Sequence, residues 1–251
     1  MRMIRDRTGR FRERPFYENT ELDADCERLL CDFLRRTHGD VGWPLSTDNL
    51  TKLVEENVED LDLYADLSGM GGKVEGVTHF FRDRPPRVQI SRDLSENPRN
   101  ANRLRTTLTH ELGHVRFHGF LFQLGKSEFG DLFSAGMHVH GGPAAAPGQS
   151  CQSQQCRRET IVDAREVDWL EWQAGYACGA FLMPISALRA VVRTFVSEHR
   201  LQQAVMIDTS QAQCLIEAVA GRFAVSEDAA RTRLLKLKFL VPADSADTLF
   251  S

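Results

Sequence analysis

His110-Glu111-Leu112-Gly113-His114 is the stretch on which the reading of this chain turns. It is an instance of the pattern HExxH. On a helix, residues four apart lie on one face, with Cβ atoms roughly 5–6 Å apart. Two imidazoles placed there can each reach one zinc ion at about 2.0–2.1 Å. Glu111, next to the first ligand, is placed to act as base toward a water on the metal. The flanking sequence predicts a helix. Leu104, Leu108 and Leu112 form one apolar stripe, and Pro98 stands near the expected start, where its missing N–H costs least.

A catalytic zinc takes three protein ligands and keeps an open position. The continuation HExxHxxGxxH is not met, because Phe117 stands where Gly is required and Phe120 where His is required. His118 lies a further turn along, too far from His110 to share a metal on an unbroken helix, so a supporting or surface role is expected for it. A carboxylate from a later helix is therefore wanted, and Asp163, Glu166, Asp168 and Glu171 compete for the place. A helix is expected over residues 167–183, ended by Pro184. On it Glu171, Ala174, Gly175 and Cys178 share a face that is small beside the glutamate, which lets another helix approach closely. Gln173, two positions on, is expected to have no metal duty. Tyr176 and His118 are the candidates for stabilising an oxyanion, although a core aromatic and a surface histidine are the ordinary readings. Trp169 and Trp172 read as packing residues.

The 251 residues make one large domain, or a domain with an appendage. A hydrophobic fraction of 42% suffices for a core, and a net charge of −4 with a pI near 6.1 gives no overall basic field toward nucleic acid or membrane. No run approaches the about 18 apolar residues of a membrane span. Residues 1–18 carry Arg2, Arg5, Arg7, Arg10, Arg12 and Arg14 without an apolar stretch, and are expected to be a disordered basic arm rather than a secretory signal. Cys26, Cys31, Cys151, Cys156, Cys178 and Cys214 are expected to be free thiols of a cytoplasmic protein.

In chain order, a helix is expected over residues 20–36 with Thr20 and Asp23 as its capping box, and a second from Ser46 or Thr47. Leu61, Leu63 and Ala65 alternate as in a half-buried strand. Residues 74–81 and 87–91 read as a hairpin around Pro85 and Pro86, and 88–91 is the candidate edge strand for an extended substrate. Residues 135–155, rich in Gly, Pro, Ala, Ser and Gln, are expected to be a flexible loop. His138, His140, Cys151 and Cys156 in this region lack a standard zinc spacing. Helices are then expected over 186–198 and 210–223, with a third opened by Val225 and Ser226. The last two resemble a helix-turn-helix, but Arg222, Arg231, Arg233, Lys236 and Lys238 are partly offset by Glu217, Glu227 and Asp228.

HELGH with His118 beyond it, then Glu171-Trp172-Gln173-Ala174 and Phe181-Leu182-Met183-Pro184, resembles the ImmA/IrrE family of metallopeptidases, which pairs HExxH with an ExxA…LLMP helix. The resemblance covers residues 20–240. It departs from the family at Gly175 and Ala177, where Asn or Asp and then Phe are usual, and in the long cysteine-bearing loop. The resemblance implies that the family's glutamate ligand corresponds to Glu171. It implies an α+β, zincin-like metallopeptidase of gluzincin type, with a small antiparallel or mixed sheet, an active-site HExxH helix and a helical C-terminal part. Residues 19–184 would form the peptidase domain and 185–251 the helical, helix-turn-helix-like region. His110, His114 and Glu171 would hold Zn2+, and Glu111 would be the general base. The substrate would be a helix-turn-helix transcriptional repressor or antitoxin acting in trans, in a toxin–antitoxin pair, mobile element or stress response. The rival expectation is a DNA-binding or repressor-sequestering regulator whose zinc site is a sensor or relic.

Overall fold

The computed structural model describes residues 1–37, 42–70, 73–123, 152–157, 168–201 and 205–242. The expectations for His138, His140, Cys151, Asp163, Glu166 and the side chain of Cys156 lie outside the described residues. The fold is α+β. Two units separate, one formed by Met1–Asp25 with Ser46–Cys178 and the other by Cys26–Leu45 with Gly179–Ser251.

The first unit opens with strands β1 (Arg2–Arg5) and β2 (Glu13–Phe16), paired antiparallel. The expected disordered arm is thus a hairpin. Asp6, 6% exposed, closes its turn by accepting from Thr8 N at 2.9 Å and Phe11 N at 3.0 Å. Phe11 is buried with Leu121, Trp169 and Leu170. A count of arginines sees the solvated face of such a segment and misses one anchoring aspartate and one anchoring phenylalanine. Helix α1 (Asn19–Thr37) is capped two residues earlier than the expected box of Thr20 and Asp23, since Glu18 N donates to Glu21 Oε2 at 2.9 Å. Helix α2 (Thr47–Glu55) is capped by Ser46, whose Oγ accepts from Asn49 N.

Strands β3 (Asp60–Ala65), β4 (Val74–Phe80), β5 (Arg87–Ser91) and β6 (Gln152–Arg157) form one sheet in the order β3-β5-β4-β6. The expected β4–β5 hairpin is present, β3 pairs β5 in parallel, and β6 pairs β4 antiparallel. Two expectations need correction. β5 is interior, with Val88 and Ile90 fully buried, so it offers no free edge to a substrate. Residues 152–155, expected in the flexible loop, belong to β6; main-chain bonding to β4 supplies what their polar sequence does not signal.

After the short α3 (Arg92–Ser95), a 3-10 turn Pro98–Asn100 leads into α4 (Ala101–Gln123), which carries HELGH and continues through Phe120 and Phe122. It packs on β4 and α2. Helix α5 (Trp169–Leu182) follows.

The second unit holds α6 (Ile185–Glu198), β7 (Val205–Met206), α7 (Ser210–Phe223), α8 (Glu227–Lys236) and β8 (Leu240–Val241), with β7 and β8 parallel. Ala224, in the left-handed region at φ 49°, ends α7, and Ser226 caps α8. Leu188, Leu215, Phe223 and Leu234 are fully buried. So is most of Arg233, at 2% exposure, while Arg231 donates to Gln213 Oε1 at 3.3 Å. Among the described residues no single helix is long and apolar enough to cross a membrane.

Candidate metal centre

Helix α4 is enclosed on all sides along its middle turns: every residue from Thr107 to His114 is buried. Its polar side chains are therefore committed to protein partners. Thr109 Oγ1 donates to Arg105 O at 2.9 Å. Along β4, residues two apart face α4. Thr78 Oγ1 donates to Glu111 Oε2 at 2.5 Å, and the Phe80 ring stacks on Phe122 with centroids 4.2 Å apart. The register of β4 against β6 shifts between Val74 and Gly76, and Glu75 also reaches α4, bonding Arg103 and Thr107.

Close approach of backbones brings the third acidic group in. A Cβ built on Gly113 would lie 3.1 Å from both Cα and O of Ala174, so α4 and α5 meet where neither can carry more bulk. One turn back along α5, Glu171 points at the two histidines. His110 Nε2 lies 3.2 Å from Glu171 Oε2, His114 Nε2 lies 3.2 Å from Glu171 Oε1, and the two Nε2 atoms are 3.1 Å apart. The three side chains are buried and could hold a metal ion. Asp168, a sequence competitor, instead pairs with Arg10 at 3.1 Å and stands outside this group. No family model matches the chain, and a search of curated proteins finds no match either.

Burial would raise the Glu171 carboxyl, but the charge of His114 and contacts with both histidines outweigh it and hold the group well below the usual carboxylate range. For His114 burial acts downward, and the charge of Glu171 reverses it, so the imidazole is raised. Burial raises the Glu111 carboxyl, against the pull of both histidines and of Thr78. His118 is held neutral, well below its ordinary value, by burial and by the neighbouring His114. These directions set the sign of a pH effect. A metal ion must displace the proton that Glu171 helps His114 to keep. Affinity is therefore expected to fall by about tenfold per pH unit for each proton displaced, once the pH drops below the raised value of His114. Glu171 remains a carboxylate across that range and adds nothing to the slope. Chelator competition at several pH values measures it; an affinity independent of pH would contradict the coupling.

Two residues near the carboxylate of Glu111 carry no motif of their own. Thr78 holds one oxygen. Gly76 makes room: a Cβ there would lie 2.5 Å from Glu111 Oε1 and 2.9 Å from Thr107 Cγ2. Gly113, inside the motif, sets the helix spacing. An isolated glycine inside a strand signals close approach of another group, which is the clue Gly76 offers. Gly76→Ala is expected to cost about 1–3 kcal/mol by overpacking, read by urea unfolding, with a measurable loss of any Glu111-dependent activity. The expected oxyanion candidates are both otherwise engaged. The Tyr176 hydroxyl donates to Asp23 Oδ2 at 2.9 Å in the core, and His118 is bonded through both ring nitrogens.

Proposed function

We propose that this chain is a zinc-dependent endopeptidase of zincin type, resembling the ImmA/IrrE family, that cleaves a helix-turn-helix repressor or antitoxin in trans. The observation that carries the reading is the place of Glu111. It lies on the same helix as two converging imidazoles, is fully buried, and its Oε1 takes no hydrogen bond among the described residues. A carboxylate so enclosed, raised by burial and beside a group able to hold a metal, has the position and the basicity of a general base.

The donor set supports zinc. Ligand distances of about 2.0–2.1 Å in a tetrahedron place ligand atoms about 3.3 Å apart. His110 Nε2 and His114 Nε2 stand 3.1 Å apart, and each lies 3.2 Å from one oxygen of Glu171, Oε2 and Oε1 respectively, so the carboxylate faces both imidazoles. Bound there by His110, His114 and Glu171, zinc would supply a Lewis acid that polarises a peptide carbonyl and acidifies water. Glu111 would take the proton of the attacking water and deliver it to the leaving amine. Thr78 holds that carboxylate in place through Oε2. An outer strand of the sheet, with β6 next to β4, is the edge to which an extended segment of substrate would add.

A cytoplasmic setting accords with Cys26, Cys31, Cys178 and Cys214, none of which is in a disulfide among the described residues. The rival reading, a regulator contacting DNA through Arg231 and Arg233, is weakened by the burial of Arg233.

The experiment is direct. The zinc-loaded protein is incubated with the helix-turn-helix protein encoded beside it, and fragments are weighed by mass spectrometry. Cleavage that stops on chelation and returns with zinc is expected. An intact partner under every loading condition would overturn the reading.

A further inference from the structure

Behind the ligand His114 runs a chain of hydrogen-bonding groups that the motif does not describe. His114 Nδ1 lies 3.0 Å from His118 Nδ1. His118 Nε2 lies 3.0 Å from Gln173 Oε1, and Gln173 Nε2 donates to the backbone oxygen of Pro15 at 2.9 Å. All three side chains are buried, at 0%, 0% and 2% exposure.

The direction of every bond follows from the far end. A carbonyl oxygen can only accept, so Gln173 must turn its amide NH2 to Pro15 and its oxygen to His118. His118 must then donate from Nε2. Enclosed, with no carboxylate on either nitrogen, it carries one proton, and its Nδ1 is left to accept. His114 must therefore donate from Nδ1. Once His114 is neutral, its Nε2 keeps a lone pair, and that is the atom facing Glu171 and His110. The Trp169 ring, edge-on to His118 with centroids 5.6 Å apart, stiffens the middle of the chain.

His110 is treated differently. Its Nδ1 is buried and takes no hydrogen bond among the described residues. Of the two candidate ligand histidines, the described residues fix the tautomer of His114 alone.

We infer that His118 and Gln173 are positioning residues that lock His114 in the Nδ1–H tautomer ready to bind metal, with the backbone of the N-terminal hairpin as their anchor. The inference rests on the metal-site reading above, and it corrects the expectation that Gln173 is indifferent to metal. It also gives β2 a role at the metal centre, because that strand supplies the acceptor from which the bond directions propagate.

The test uses the full chain and two substitutions at one site. Gln173→Met keeps the bulk and removes the acceptor. Gln173→Glu keeps an acceptor toward His118, and its protonated form also keeps a donor toward Pro15. Zinc affinity is measured by chelator competition, and imidazole tautomers by nitrogen-15 NMR of the metal-free protein at a pH where both histidines are neutral. Metal-free melting temperatures report folding.

In the wild type, His118 is expected to be protonated at Nε2 and His114 at Nδ1. Gln173→Met is expected to weaken zinc binding about 10–100-fold, as loss of an orienting partner does, and to mix the tautomers. Gln173→Glu is expected to restore both readouts. Equal losses in the two variants would reduce Gln173 to a packing residue and overturn the proposal, as would His118 protonated at Nδ1 in the wild type. Absence of zinc binding in the wild type would instead count against the function proposed above, while the NMR pattern still decides the tautomer.

Discussion

Glu111→Gln is expected to bind zinc as the wild type does, to melt at a similar temperature, and to lose cleavage by about 10²–10⁴-fold, the contribution of a positioned acid–base group. The substitution preserves shape. Gln can still accept from Thr78, whose hydroxyl bonds Oε2 at 2.5 Å. What it cannot do is take a proton. Burial is the reason the effect should be nearly pure: no residue from Thr107 to His114 is solvent-exposed, so no outside base can substitute. The readouts are the length of the partner protein on a gel after co-expression and the output of a reporter from its promoter. Full derepression with an intact partner would sink the protease reading and favour sequestration.

Glu171→Ala is the second large effect. It removes the carboxylate that meets both imidazoles at 3.2 Å and leaves two histidines from one helix. Zinc affinity is expected to fall by more than the about 10–100-fold that loss of a merely orienting partner costs. Elemental analysis after gel filtration should show the purified variant largely free of metal. Folding should survive, because without that charge beside it His114 can shed its proton and stay neutral in its buried place. Full retention of zinc would transfer the ligand role to Asp163 or Glu166, since Asp168 is taken by Arg10.

Local signals are readable where one element carries them. The spacing of His110 and His114, the cap at Ser46, the β4–β5 hairpin and the helix over 210–223 follow from period, turn residues and caps. What escapes depends on contacts distant in sequence. The polar side chains of α4 look like a solvated face until β4 and α5 close over them. Thr78, 33 residues before Glu111, has no signal beyond its place in a strand. β6 is polar and takes its structure from β4. The basic N-terminus reads as disordered by charge, although Asp6 and Phe11 decide its conformation. Gln173 sits inside the motif and still escapes notice, because a neutral amide beside a ligand gains meaning only when both its ends are traced.

The enclosure of the ligands has a consequence in time rather than in strength. His110 and His114 are fully buried and Glu171 is 2% exposed. A chelator cannot touch a metal held there while the fold is closed. Release then waits on local opening, whose free energy differs between segments of a protein. At high chelator concentration the rate of zinc loss should level off at the rate of opening, whatever the chelator's own affinity. Metal occupancy would then record the conditions under which the chain last folded, more than those in which it is assayed.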